Sequence, residues 1–279
     1  MNPKIYVRFL CAVFVAAIFM TAGTCAAAPV YEKRWEGKLG GQSQYFVPQA
    51  IAAGDFAPDS GEELVIFDTD GYAYFMAWIE NAVQSFWITS SKVTNGRVLD
   101  AAAADIDGNE EDETAYIDRE GKLNILGGDK RKFKHVCKGC VPEAFSDFKA
   151  EFVAPARADR DSRAELLLIG KWKGKTTALL LKPLERGFKV LRAQPIDAKG
   201  QIMSLMPAQS PSRNKFYLHV YRGRGGDAMV PLSFDEEGMS LDKPIDLAPA
   251  KMSVSAIFPG DTDGDGNCEL FVIGATGTG

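Results

Sequence analysis

Short apolar stretches bounded by polar residues recur along most of the chain at a nearly constant interval. Five of them begin directly after a charged residue, and these charged residues are 50, 52, 50 and 54 positions apart. Apolar runs of this length between turn-forming residues predict β-strands. A unit of about 50 residues is therefore repeated along the chain. The five junctions are Glu63 before Leu64–Phe67, Glu113 before Thr114–Ile117, Glu165 before Leu166–Ile169, Lys215 before Phe216–Leu218 and Glu269 before Leu270–Ile273.

Each unit also carries a strand of small and apolar residues before its charged position. The apolar run after the charged residue ends in a turn such as Asp70-Gly71 or Glu120-Gly121, and this pattern predicts a hairpin. Four short antiparallel strands per unit, repeated radially, are typical of a β-propeller. We therefore expect an all-β fold, a β-propeller of about five four-stranded blades. The five upstream strands are Ala50–Ala53, Leu99–Ala104, Phe152–Ala154, Ile202–Met206 and Val254–Phe258.

The two ends of the repeat region predict how the ring closes. The fifth unit reaches only its second strand before Gly279, and a spare strand, Tyr31–Leu39, precedes the first unit. An unpaired strand edge invites pairing with another chain, so closed folds avoid leaving one. We expect the N-terminal strand to pair into the last blade and close it.

The first 27 residues have the pattern of a signal peptide. Lys4 and Arg8 precede a short apolar stretch, Phe9–Met20, and small residues follow at Thr21–Ala28. The expected mature domain is 28–279, exported to the periplasm or secreted. Lipidation at Cys25 is a competing interpretation, which the residues before that cysteine fit poorly. No other apolar stretch approaches the length of a membrane span.

Charge and cysteine content narrow the partners and the compartment. The chain has 37 acidic and 32 basic residues, and the basic ones are scattered rather than clustered. Phosphate contacts require clustered Lys or Arg, so nucleic-acid binding is not expected. In an oxidising compartment, Cys137 and Cys140 would form a small disulfide loop, whereas Cys268 would be unpaired.

The densest ligand pattern lies directly before the last apolar stretch. Carboxylates or an amide occupy alternate positions of this loop, and Gly266 allows a sharp bend. Side-chain and backbone oxygens at positions 1, 3, 5, 7 and 9 can surround one hard cation, and the flexible shell of such a loop suits calcium better than magnesium. The predicted calcium ligands of this fifth loop are Asp261, Asp263, Asp265, Asn267 (through its backbone carbonyl) and Glu269.

This repeat resembles the FG-GAP and VCBS families, whose calcium-binding propeller blades include those of the integrin α-chain head. The resemblance spans about residues 45–279 and is specific in the loops. It implies further calcium ligands in two loops and a structural role for the ion at each hairpin. The second loop keeps Asp105, Asp107, Asn109 and Glu113, with Glu110 where the family has Gly. The first keeps Asp55, Asp59 and Glu63, with Ala57 replacing one ligand.

The remaining two loops depart from the family pattern. The third begins with Arg157, whose charge would oppose a cation, beside Asp159, Asp161 and Glu165. The fourth runs from Pro207 to Lys215 and has lost its ligands. We expect neither loop to hold calcium.

The sequence contains no motif for a catalytic nucleophile. Its two histidines, His135 and His219, lie in different units without a catalytic pattern around them. We therefore expect no enzyme, but a binding or scaffolding module for a protein or glycan partner, in an oligomeric state that the sequence does not define. The alternative is a carbohydrate-active enzyme, a polysaccharide lyase or hydrolase, built on a propeller.

Overall fold

The structure is a computed structural model. It describes residues 47–276, except for 58–62, 80–81, 90, 130–131, 159–160, 209–213, 224–225, 235–237, 248–251 and 261–268. The predicted signal peptide and the strand Tyr31–Leu39 lie outside the described residues.

Nineteen strands form five antiparallel sheets in the described part of the chain, and each sheet follows the previous one in sequence. The strands of the first two sheets are β1 Pro48–Gly54, β2 Glu63–Asp68, β3 Ala73–Ile79, β4 Ala82–Ile88, β5 Val98–Ala104, β6 Glu113–Asp118, β7 Leu123–Asp129 and β8 Lys132–Lys138. Those of the third are β9 Lys149–Ala156, β10 Glu165–Trp172, β11 Lys175–Pro183 and β12 Phe188–Pro195. The fourth and fifth contain β13 Gln201–Pro207, β14 Lys215–Tyr221, β15 Asp227–Phe234, β16 Met239–Leu241, β17 Ile245–Asp246, β18 Met252–Gly260 and β19 Glu269–Thr276. A short 3-10 turn, Glu143–Phe145, lies between β8 and β9.

The fold is an all-β propeller with four blades. The first strands of successive sheets, β1, β5, β9, β13 and β18, contact one another in that order, as the innermost strands of a propeller do. The expectation of about five four-stranded blades is wrong, because the fifth unit forms only the two-stranded sheet β18–β19. No described strand adds to this sheet, so the expected closure by the N-terminal strand is not observed.

Pairing within the sheets confirms the repeat in finer detail. In each of the five sheets, the innermost strand carries one extra residue opposite the second strand, which is a β-bulge. Bulges increase the local twist and bend of a strand, which suits the crowded inner edge of a propeller blade. The bulged residues are 50, 52, 52 and 52 positions apart: Gln49, Leu99, Glu151, Met203 and Ser255.

Small side chains allow the innermost strands to approach closely. The alanine run predicted as strand lies in β5, where Ala102 and Ala104 are buried. A Cβ added at Gly54 of β1 would lie 2.4 Å from the Cβ of Ala103. Since real Cβ atoms do not approach so closely, Gly54 is required for this packing of the first blade on the second.

Apolar clusters fill the spaces between neighbouring blades. Between the first two blades, the rings of Phe75 and Phe133 stack with centroids 3.7 Å apart, and Trp87 lies 5.2 Å from Phe133. Similar clusters join the second blade to the third and the third to the fourth. Trp87 thus packs between the first two blades.

Two further features concern the compartment and the membrane. Cys137 at the end of β8 and Cys140 in the turn that follows are joined in a disulfide, with Cα atoms 5.8 Å apart. Among the residues described, no helix is long and apolar enough to cross a membrane.

Candidate functional site

The loop between β5 and β6, residues 105–112, folds around its own carboxylates. Asp105 Oδ1 accepts hydrogen bonds from the backbone N–H groups of Gly108 and Asn109, at 2.7 and 3.1 Å. Asp105 Oδ2 accepts from Glu110 N–H at 3.1 Å, and Asp107 Oδ1 accepts from Asn109 N–H at 3.1 Å. Short acidic side chains at alternate positions thus hold the tight backbone curve of this loop.

Three of the four ligands expected in this second loop converge on one point. Asp105, Asp107 and Glu113 each place a carboxylate oxygen within 4.8 Å of the other two. Oxygens bound to one calcium ion lie about 2.3–2.6 Å from it, so two of them are at most roughly 5 Å apart. The spacing and the oxygen chemistry therefore fit this ion. The fourth expected ligand, Asn109, uses its Oδ1 to accept a hydrogen bond from Glu111 N–H at 2.8 Å.

The electrostatics of the cluster favour an added positive charge. Burial raises the pKa of Glu113 to about 7, and the charges of Asp107 and Asp105 act in the same direction. Backbone N–H groups of Ile106 and Asp107, which donate to Glu113 Oε2 at 2.8 and 3.2 Å, oppose that shift. Carboxylates held together in this way repel one another unless a proton or a cation joins them.

The position where the family has Gly takes the conformation that Gly favours. Glu110 has a φ of 71°. This left-handed region is unfavourable for a residue with a side chain and is readily adopted by glycine. The loop therefore bends at Glu110 in a conformation that glycine would adopt more readily.

The periodic glutamates form a repeated contact that the sequence did not reveal. Glu63, Glu113 and Glu165 are buried, and the Oε2 of each accepts a hydrogen bond from the backbone N–H of the residue seven positions earlier. The carboxylate thereby satisfies a backbone donor inside the turn between the first and second strands of its blade. A glutamate at a constant interval before each strand was the available signal, but it was interpreted only as a metal ligand. The three pairs are Glu63 with Phe56 at 2.8 Å, Glu113 with Ile106 at 2.8 Å and Glu165 with Ala158 at 2.7 Å.

The other predicted loops are only partly described. In the first, Asp55 is exposed and Ala57 is buried, whereas Asp59 lies outside the described residues. In the fifth, Asp261, Asp263, Asp265 and Asn267 also lie outside them. Glu269 begins β19 and pairs with Gly260, the register of Glu63 with Gly54 and of Glu113 with Ala104.

The third and fourth loops lack the converging carboxylates of the second within their described residues. In the third, Asp161 forms an ion pair with Lys182 at 2.7 Å. In the fourth, Lys215 is exposed, and its backbone carbonyl accepts the Ala208 N–H at 2.9 Å.

Backbone hydrogen bonds join successive loops at one face of the propeller. Asp112 N–H donates to the Asp55 carbonyl at 2.6 Å, and Ala164 N–H donates to the Asp105 carbonyl at 2.7 Å. In both cases the eighth residue of one loop contacts the first residue of the preceding loop. Asp112 Oδ2 also accepts from Asp55 N–H at 3.0 Å. The first three loops therefore lie side by side in a connected row.

A pocket opens beside this row, between the loops of the second, third and fourth blades. It has a volume of about 250 Å³, and most of its lining is alanine and proline. Its charged residues are Asp105, Asp112 and Arg157. Burial raises the pKa of Asp112, whereas the backbone hydrogen bond at Asp55 and the charge of Arg157 oppose that rise. Sequence reasoning missed this pocket because its walls come from three separate units.

The opposite ends of the blades show different polar contacts. The predicted turns are confirmed, with Gly71 at φ 89° and Gly121 at φ 79°. Asp68 Oδ1 accepts from Tyr72 N–H at 2.9 Å, and Asp118 Oδ1 accepts from Lys122 N–H at 2.9 Å. These aspartates stabilise the turns and were not identified from the sequence.

The two histidines are far apart in the fold. His219 is buried in β14 and hydrogen-bonds Asp227 through Nε2 at 2.9 Å. His135 in β8 uses Nε2 toward the Val93 carbonyl at 3.1 Å, and burial lowers its pKa. Each histidine thus has a local packing partner in a different blade.

Comparison with known proteins supports the fold and goes no further. No protein-family model and no curated protein matches the chain. A crystal structure of a protein from Lactobacillus plantarum matches with a TM-score of 0.52 and 14% identity, covering 81% of this chain and 64% of that one. The chain thus spans less than two thirds of that protein's length. A mutant of the Aleuria aurantia lectin in complex with alpha-methyl-L-fucoside matches with a TM-score of 0.48 and 12% identity, covering 84% of this chain and 74% of that one.

Proposed function

We propose that this protein is an exported, calcium-binding β-propeller that acts as a binding or scaffolding module for a protein or glycan partner. The observation that carries the proposal is the convergence of Asp105, Asp107 and Glu113 within 4.8 Å, in a loop joined by hydrogen bonds to its neighbours. A cation there would neutralise repelling carboxylates and hold the loop row that faces a partner. The resemblance of the loops to FG-GAP and VCBS repeats supports the same role.

The ion's contribution in this proposal is structural. Asp105, Asp107 and Glu113 would hold it in the second loop, and Asp261, Asp263, Asp265 and Glu269 in the fifth. A ligand that binds only the folded state stabilises it by about 2.7 kcal/mol at 100-fold excess over Kd. Calcium should therefore raise the melting temperature of the protein, and EDTA should lower it.

Asp107→Asn tests the second loop directly. The asparagine keeps an oxygen for Asn109 N–H but removes the charge, so the calcium-dependent shift in melting temperature should shrink. Asp197→Asn is a matched control, because Asp197 is also exposed and also accepts the N–H two residues later at 3.1 Å. Asp265→Asn should remove the part of the calcium-dependent shift in melting temperature that comes from the fifth loop.

Two results would contradict this proposal. An identical melting temperature in calcium and in EDTA would show that calcium does not stabilise the protein. For the binding role, affinity capture from the native envelope fraction, with and without calcium, should retain a specific partner. Turnover of a polysaccharide that depends on carboxylates outside the calcium loops would instead favour the carbohydrate-active enzyme.

A further inference from the structure

The pocket between the second, third and fourth blades combines apolar walls with charges of both signs. Ala103, Ala104 and Pro155 come from the ends of β5 and β9, and Pro207 comes from the end of β13. The charged residues of the lining are Asp105, Asp112 and Arg157, beside Ala156, Ala164 and Ala208. It therefore offers strong hydrogen-bond acceptors, strong donors and apolar contact within one small space.

We propose that this pocket binds a neutral, polyhydroxylated ligand of the size of one sugar ring, such as the terminal unit of a glycan. The inference rests on the proposed binding function and specifies its ligand and its place. Hydroxyl groups both donate and accept hydrogen bonds, so one ring can use the carboxylates and the guanidinium together. The C–H faces of a ring can pack on the alanine and proline walls.

The mixed charge disfavours ligands that carry a charge of their own. With calcium on Asp105, as proposed above, an amine would be attracted by Asp112 but repelled by Arg157, and a carboxylate would meet the opposite combination. A neutral polyol gives up no ionic hydration when it enters, so it loses less on desolvation. The lower desolvation cost therefore favours a neutral ligand over a charged one.

The state of Asp112 agrees with a ligand hydroxyl nearby. Its Oδ2 accepts from Asp55 N–H, and no other hydrogen bond to its side chain is present among the described residues. Asp112 is half-buried, so its carboxylate has lost part of its contact with water. A ligand hydroxyl donating to Oδ1 would replace part of the lost water contact.

Size and rigidity limit the ligand further. The volume of about 250 Å³ lies below the range of roughly 300–1,000 Å³ that is typical for drug-sized ligands. A single ring fits this space better than an oligosaccharide. The hydrogen bonds Asp112 N–H to Asp55 and Ala164 N–H to Asp105 hold two walls in place, which reduces the ordering needed on binding.

The test uses the full chain in calcium-containing buffer and four free monosaccharides: glucose, galactose, mannose and fucose. Ligand-observed NMR titration should detect at least one of them with a Kd of about 1 mM, an affinity expected for few contacts. Asp112→Asn keeps an oxygen for Asp55 N–H, and it should weaken binding about 10-fold, as should Arg157→Ala. Matched controls are Asp197→Asn and Arg119→Ala, at exposed residues outside the pocket.

Three outcomes decide the inference. Binding of a monosaccharide that both pocket variants weaken, while the controls and all melting temperatures stay unchanged, supports it. Should Arg157→Ala fail to fold, Asp112→Asn alone carries the comparison. Binding of methylamine or acetate in place of every sugar overturns the neutral class. If no sugar binds while the calcium shift and partner capture persist, the pocket assignment fails and the proposed function stands.

Discussion

The second and fourth blades differ at the same structural position, where the second strand begins. In the second blade Glu113 is buried, and its carboxylate accepts the backbone N–H groups of Ile106 and Asp107. In the fourth blade Lys215 is exposed, and its backbone carbonyl accepts the Ala208 N–H instead. One turn is closed by a side chain and the other by the main chain.

This difference distinguishes two roles of the periodic glutamate, which are stabilising the turn and binding calcium. Glu63 and Glu165 form the same backbone contact as Glu113, although the described residues of their loops lack the converging carboxylates of the second loop. The glutamate therefore stabilises the turn in three blades, whether or not an ion is bound there. The aspartates at the first and third positions distinguish the loop that fits calcium.

Removing a turn glutamate should have the largest effect on stability. Glu63→Ala leaves the buried Phe56 N–H without its acceptor and opens a cavity, so we expect a loss of roughly 2–4 kcal/mol in the free energy of unfolding. Glu63→Gln keeps an acceptor oxygen and should restore most of it. Urea denaturation in EDTA measures both variants without any contribution from calcium.

Lys215→Ala is the control in the fourth blade. Its side chain is exposed, and the contact to Ala208 uses the backbone, so we expect a change below about 0.5 kcal/mol. Equal losses in Glu63→Ala and Lys215→Ala would show that the two turns are not closed differently.

The innermost strands of the same two blades differ as well. Asp100 follows the bulge in β5, and Ser204 follows the bulge in β13. Asp100 Oδ2 accepts Val153 N–H of the next blade at 2.9 Å, and Oδ1 accepts Ala101 N–H at 3.0 Å. Burial nevertheless raises the pKa of Asp100 to about 7. A carboxylate thus bridges the second and third blades.

The raised pKa of Asp100 predicts a pH-dependent stability. Because the folded state binds the proton more tightly than the unfolded state, stability is greatest at low pH and falls as pH rises from about 4 to about 7. Asp100→Asn stays neutral and keeps one oxygen. Its stability relative to wild type should therefore increase by roughly 2–4 kcal/mol between pH 4 and pH 8, the upper value corresponding to about three pKa units.

Urea denaturation of both proteins at pH 4, 6 and 8 checks this prediction. The shared contributions of Glu113 and Asp112 cancel in the difference between variant and wild type. Asp197→Asn, at a fully exposed carboxyl, should show no such change over this range. A constant difference between Asp100→Asn and wild type would mean that Asp100 has the same pKa in the folded and unfolded states, so that burial does not raise it.

The repeat could be predicted from the sequence because each unit has a similar order of charged residue, apolar run and turn. Apolar runs after Glu63, Glu113 and Glu165 became β2, β6 and β10. The number of blades could not be predicted so well, since the spacing counts units and not the strands within the last one. Bulges such as that at Leu99 leave no local pattern, because they depend on pairing with a neighbouring strand.

The candidate site was predictable where its residues share one loop. Asp105, Asp107 and Glu113 converge as the resemblance of their loop to FG-GAP and VCBS repeats implied. The contact between Asp112 and Asp55 was not predictable, because it joins loops 57 residues apart. The pocket lined by Arg157 depends on three blades, and no local pattern encodes that arrangement.

The smallest expected effect concerns the backbone bend of the second loop. Glu110 has a φ of 71°, a conformation that costs about 1–2 kcal/mol for a residue with a side chain. Glu110→Gly removes this cost and adds some unfolded-state entropy, so we expect a net gain of at most about 1 kcal/mol. Lys173→Gly is a control, since Lys173 has a φ of 47° in the β10–β11 turn, away from the calcium loop. Both variants should gain stability in EDTA, but only Glu110→Gly should also change the calcium-dependent shift. If Glu110→Gly instead lowers stability in EDTA, the left-handed conformation of Glu110 does not destabilise this loop.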